Sequence, residues 1–174
     1  KEDCAGITRV CDALDDIQTV ERPCVPSDVP PEIYPVHTLE AMLSNTSKHV
    51  FIGADTARNL GKMVELGEAC VGGTDTFKRR PVFTASVCPT SPLAILTDCC
   101  GVVIEAARRG VGLWIVPMAL AGATATATLA GTLVTTNAEV LATLVLAQLT
   151  TRGTTCTYGN TSTIRSEERR VGKE

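Results

Sequence analysis

Hydrophobic and polar positions along this chain change period repeatedly. The changes mark out alternating helices and strands. Residues near Glu2 to Asp16 place Val10, Leu14 and Ile17 at helical spacing, which predicts an amphipathic helix. A short apolar run from Ile17 to Arg22 predicts a strand, and the prolines between Pro23 and Pro31 predict a rigid loop. Helical spacing returns from about Glu32 to Asn45, and Lys48 to Gly53 predicts a second strand. Asp55 is the expected cap of the next helix, which runs to about Cys70 and stops at Gly72-Gly73. Pro81 to Cys88 predicts a third strand, with Pro89 and Pro92 framing its exit. The helix from Leu93 to Arg109 ends at Gly110, with Arg108 and Arg109 set against its C-terminal dipole. Val111 to Pro117 is almost uniformly apolar, as in a strand covered on both faces. A long helix from about Thr126 to Thr150 and a fifth strand from Thr154 to Tyr158 follow.

One β/α unit thus recurs every few tens of residues. Such alternation predicts a parallel sheet with right-handed crossovers. A doubly wound sheet and a (β/α)8 barrel both satisfy the pattern. The barrel usually needs about 250 residues, so this chain would hold about five of its units.

Composition narrows the picture. The chain has 174 residues, a net charge of −3 and few aromatic residues. No basic run is interleaved with aromatics, so a nucleic-acid partner is not expected. The stretch between Arg109 and Glu139 carries no charge, but Pro117, Gly122, Gly131 and Asn137 favour a buried strand and helix over a membrane span. Eight cysteines show no paired Cys-x-x-Cys spacing. They are expected to be reduced, buried thiols in a cytoplasmic protein. His37 and His49 lack ligand spacing, so no metal is expected. The last ten residues, Arg165 to Glu174, have no apolar face and read as a non-native tail, which leaves residues 1 to 164 as one domain interrupted at both ends.

In a β/α barrel the chemistry sits where strands end and helices begin. Cys88 to Pro92, Met118 to Thr128 and Tyr158 to Thr161 fall there, as do Arg22-Pro23 and Gly53 to Asp55. The small-residue junction Gly122 to Thr128 opens a helix, and its free N–H groups suit an anion. Close helix–strand packing explains the same small residues. It is neither a Walker loop nor a dinucleotide fingerprint. Tyr158 ends a strand, where its ring suits a cation or simply fills the core. Met118 reads as packing near the mouth. Glu139 lies some thirteen residues into its helix, roughly 20 Å from the mouth, which makes it structural unless the helix kinks.

Several short stretches recur together and in order. They are Asp28–Glu32, Ser44–Val50, Val87–Leu93, Ile104–Gly110, Ala121–Thr124, Asn137–Ala142 and Tyr158-Gly159. Together they resemble the trimethylamine methyltransferase family of corrinoid-dependent enzymes, over about Val10 to Ile164. The resemblance implies a TIM barrel of which this chain is a middle portion. It implies methyl transfer from a methylated amine to the Co(I) of a separate corrinoid protein, with no cofactor bound by this chain and a homo-oligomeric enzyme. Trimethylamine and quaternary amines such as glycine betaine are both open, because the position that divides the two branches, and the catalytic residue, lie beyond Ile164. The mouth residues then become substrate-binding candidates: Tyr158, Met118, Gly122, Thr124 and Cys88. Thr126 and Asn160 depart from the family pattern, where proline and serine are expected.

Overall fold

The computed structural model describes residues 1–164; the expected non-native tail lies outside them. Five parallel strands form one sheet: β1 (Thr19–Glu21), β2 (His49–Gly53), β3 (Phe83–Val87), β4 (Gly112–Ile115) and β6 (Cys156–Tyr158). Each strand pairs with the next in chain order. The helices are α1 (Glu2–Ala13), α2 (Tyr34–Leu43), α3 (Ala57–Val71), α4 (Thr74–Arg79), α5 (Thr97–Arg109) and α6 (Leu129–Thr150). The long helices pack side by side in sequence: α1 on α2, α2 on α3, α3 on α5, α5 on α6.

A doubly wound sheet reverses its strand order at a switch point. This sheet never reverses, so its helices lie on one face. That singly wound arrangement is compatible with part of a (β/α)8 barrel. Alternation along the strands follows from it. Val50, Ile52, Phe83, Ala85, Leu113 and Ile115 point into the helix layer and are fully or almost fully buried. Their neighbours His49, Phe51, Thr84, Ser86 and Trp114 point to the other, open face and are only half-buried.

The observed strands fall inside all five predicted ones, and the glycine stops hold. Gly72 and Gly110 both end helices in the left-handed conformation, with φ of 83° and 76°. Other details differ from expectation. The α1 face marked by Val10 and Leu14 is exposed, and Cys4 and Thr8 are the buried pair. Lys48 explains where α1 stops, since its Nζ donates to the carbonyls of Cys11 and Leu14 at 2.8 and 2.6 Å. Thr56, not Asp55, caps α3, accepting from the Asn59 amide at 3.2 Å. α4 was not anticipated; it exists to bury Phe77, whose ring lies 5.8 Å from that of Phe83. Gly67 makes room for this pair, because a Cβ there would sit 2.6 Å from Phe77. All eight cysteines are free, but only Cys4 is fully buried, while Cys70 and Cys88 are exposed.

A small second sheet was also unforeseen. β5 (Leu120–Ala121) and β7 (Thr163–Ile164) pair in parallel beyond the ends of β4 and β6. The chain there folds as a strap: Thr161 and Thr163 donate their amides to the carbonyls of Pro117 and Ala119. α6 is long and apolar enough to cross a membrane by length and composition alone. Here it lies against α5 and the sheet, burying Thr132, Thr136, Glu139, Val140, Thr143 and Ala147.

Candidate functional site

The site is built on the open face, at the C-terminal ends of the strands. Register places Glu21, Phe51, Thr84 and Gly112 in one row across β1 to β4. The next row toward the strand ends is Gly53, Ser86, Trp114 and Thr157. Aromatic edges tie the rows together. Phe51 meets Trp114 at 5.1 Å and His49 at 5.4 Å, both edge to face. His49 lies deepest, with Nε2 2.8 Å from the Thr84 hydroxyl, and burial lowers its pKa. Gly159 lets the chain cross directly over Trp114: a Cβ there would lie 2.4 Å from the indole nitrogen.

Above these rows opens a cavity of about 260 Å³. Its lining includes Glu21, Arg22, Phe51, Ser86, Cys88, Met118 and Thr161, so five of the segments that follow or end strands converge on it. Small residues at Gly53 and Ser86 leave the space open. The Ser86 hydroxyl oxygen is buried and has no hydrogen-bond partner among the described residues. A buried, unpaired hydroxyl is unfavourable and uncommon, so a ligand atom at this point would relieve a real deficit. A cleft of about 590 Å³ between α2 and α3, near His37 and Arg58, is larger but collects no strand ends.

Two opposite charges flank the cavity. Glu21 ends β1 and forms no ion pair among the described residues. Arg22, one residue on, stands at the rim. Its Nη1 donates to the Tyr34 hydroxyl at 3.4 Å, its guanidinium lies 5.7 Å from the Tyr34 ring centre, and Tyr34 donates to Asp55 Oδ1 at 2.8 Å. Burial and the bond to Asp55 raise the Tyr34 pKa, so the phenol keeps its proton and stays a donor to Asp55. Both charges reach Cys88. Desolvation raises its thiol pKa; Arg22 opposes that shift and Glu21 adds to it. The site therefore favours a thiol over a thiolate. Among the described residues, no group of three or more His, Cys, Asp or Glu side chains is placed to hold a metal ion.

The sequence-predicted candidates divide. Cys88 and Met118 line the cavity together. Gly122 and Thr124 lie in the turn after β5, away from it. The amides of Ala123, Thr124 and Ala125 all donate to the Leu120 carbonyl, and that of Gly122 to the Thr126 carbonyl. The Thr124 hydroxyl accepts from the Leu120 amide at 2.9 Å. Those N–H groups are spent inside the loop and are not free for an anion. The helix itself begins later, at Leu129, with Thr128 accepting from the Gly131 amide. Tyr158 shares the side of Ile115, its register partner, which faces the helix layer. Its hydroxyl donates to Asn137 Oδ1 on α6 at 3.2 Å. Glu139 is buried as expected of a structural residue, yet it is not remote from the strand exits. Its carboxylate accepts from the Ser91 hydroxyl at 2.9 Å and the Leu93 amide at 2.8 Å, pinning the loop after β3. Leu93 needs that pin, since its φ of 55° is unusual for a bulky side chain. Glu21 and Ser86 were missed as site residues. The signal was present in the strand alternation, which sets both opposite to the buried Val20, Ala85 and Val87.

Comparison with known proteins gives this geometry a family. Residues 1–166 match the model of the trimethylamine methyltransferase (MTTB) family. The trimethylamine methyltransferase MttB of Desulfitobacterium hafniense is 46% identical over 164 residues, which is 94% of this chain and 33% of the relative. The Methanosarcina barkeri MttB is 35% identical over 165 residues, again 94% of this chain and 33% of the relative. A glycine betaine methyltransferase from another strain of D. hafniense is 32% identical over 139 residues, 80% of this chain and 29% of the relative. The chain thus spans about one third of the length of these relatives. It belongs to the trimethylamine methyltransferase family.

Proposed function

We propose that this chain is part of a methyltransferase that takes a methyl group from a methylated amine and passes it to the Co(I) of a separate corrinoid protein in the cytoplasm. Family membership supports the reaction class. The observation that carries the site is the cavity at the strand C-termini, with a carboxylate at Glu21 and an aromatic ring at Phe51. The unreversed parallel strand order supports a partial (β/α)8 barrel, whose strand ends are where such an enzyme does its chemistry.

The chemistry asks little of side-chain acids or bases when the donor is a quaternary ammonium. The C–N bond breaks with its electron pair going to nitrogen, which leaves as a neutral tertiary amine. The Co(I) centre supplies the pair for the new bond to carbon. Glu21 and the aromatic ring of Phe51 offset the cationic charge while the substrate is bound. The walls fix the methyl group's direction, and such positioning is the main rate advantage available. Ser86 and Cys88 line the cavity without acting as nucleophiles. The corrinoid stays on its own protein and asks for no cobalt ligand here.

The test is methyl transfer by the full-length enzyme that carries this segment. Mixed with the corrinoid protein held as Co(I), it should convert the cobalt absorbance when trimethylamine or glycine betaine is added. No conversion with either amine, under conditions where a related methyltransferase converts the same corrinoid protein, would refute the proposal.

A further inference from the structure

We propose that α6 pairs, through its outer face, with the α6 of a second copy of this protein. Nothing in this pairing depends on the methyltransferase reading above. α6 runs for 22 residues, and its single charged side chain, Glu139, is buried. A helix that meets water along one side ordinarily carries charges there. This one instead exposes Val134, Leu141, Val145 and Leu149, with Val134 at 70% and Leu149 at 82% of full exposure.

The direction of that face decides what can cover it. At about 100° per residue, Val134, Leu141 and Val145 lie within about 40° of one another. They stand opposite Thr136, Thr143 and Ala147, which are buried. Hydrogen bonds mark the two flanks between these faces. On one flank Glu139 reaches the loop between β3 and α5. On the other, Asn137 bonds to Tyr158, and Gln148 bonds to Gly153 and Thr154 just before β6. α5 occupies the first flank, and a further helix of the same layer would lie against the second. The apolar stripe points away from the sheet and from both flanks, so its partner lies outside the helix layer.

A second α6 fits this stripe. Val134, Ala138, Leu141 and Val145 follow one another at four, three and four residues, the repeat along which two helices interlock. Ala138 and Ala142 are exposed beside Leu141, and their small side chains let another backbone come close. Across a twofold axis each patch meets its own copy. A face without charge has nothing to repel there. Leu141, in the middle of the stripe, lies closest to that axis.

Sedimentation of the full-length protein that carries this segment tests the pairing. Wild type should run as a dimer or a multiple of one. Leu141→Glu should halve that mass and weaken self-association at least about thirtyfold, the scale of a lost interface hot spot, with an unchanged circular dichroism spectrum. Leu141→Cys should form a disulfide with its own copy under mild oxidation, identified by peptide mass spectrometry. Wild type, with its eight native cysteines, is the control and should form no such link. If Leu141→Glu fails to fold, the cysteine variant decides, because it keeps the helix apolar. An unchanged mass for folded Leu141→Glu, or no bond between copies of Leu141→Cys, would overturn the proposal. So would a monomeric wild type. Flotation of that monomer with phosphatidylcholine vesicles would then give the face to a membrane, and no flotation would give it to another part of the same chain.

Discussion

The two faces of the sheet use the same strands for opposite ends. On the helix-covered face, Val50, Ile52, Phe83, Leu113 and Ile115 are closed off from water. On the open face, one residue away in each case, stand His49, Phe51, Thr84, Ser86 and Trp114, half-exposed and mostly polar or aromatic. One carboxylate serves each setting. Glu139 is buried on the helix side with both oxygens engaged, and it holds a loop. Glu21 is exposed at the mouth and engages no cation among the described residues. Exposure and missing partners, not residue type, separate the ligand candidate from the structural group.

Substitutions in the full-length protein can break this contrast, beginning with the largest effect. Phe83→Ala empties the centre of the helix-covered face and should cost about 3–5 kcal/mol of stability in denaturant melts. Its open-face counterpart Thr84→Ala should cost far less. Glu139→Ala strands the Ser91 hydroxyl and the Leu93 amide, at about 1–3 kcal/mol for each group left unpaired. Proteolysis in the loop after β3 should rise in that variant. Ser86→Ala should change stability by no more than about 0.5 kcal/mol, or raise it slightly, because the hydroxyl it removes is already unsatisfied. An effect on KM for the amine without an effect on melting would mark Ser86 as part of the site. Tyr158→Phe removes one bond to Asn137 and should cost less than about 1 kcal/mol, with KM for glycine betaine unchanged. A raised KM would move Tyr158 to the open face and undo the division.

A pH titration sharpens the contrast at the deep end of the open face. Burial lowers the His49 pKa below its usual 6.5. The unfolded chain therefore takes up a proton there more readily than the folded one. Stability from this group is complete above pH 6.5 and is lost as pH falls through the folded value. His49→Gln should remove that part of the acid sensitivity, seen as a shallower fall in melting temperature between pH 7 and pH 5.

Much of the frame was legible in the sequence. Strand positions followed from short apolar runs, and helix ends from Gly72 and Gly110, because these signals are local. Sheet order was not legible, and it is what excludes the doubly wound alternative. Of the five candidates read from the sequence, two line the cavity and three do not. Cys88 and Met118 do line one cavity, because both lie just beyond strand ends. Tyr158 also ends a strand, but parity decides its face, and parity is fixed only by its alignment with Ile115. The loop from Gly122 to Thr128 looked like a helix start with free amides. The amides of Gly122 to Ala125 close within the loop instead, and no residue count reveals that. Glu139 was placed too far from the strand exits because distance along a helix ignores the loop that comes down to meet it.

The most direct test of the account is steady-state methyl transfer to the Co(I) corrinoid protein by full-length wild type and Glu21→Gln, with Tyr158→Phe as the control on the opposite face. The account predicts that Glu21→Gln raises KM for the amine at least about tenfold, the scale of one lost charged contact, while Tyr158→Phe behaves as wild type. Unchanged KM in Glu21→Gln, with the variant fully folded, would contradict the claim that the open-face mouth holds the methylated amine.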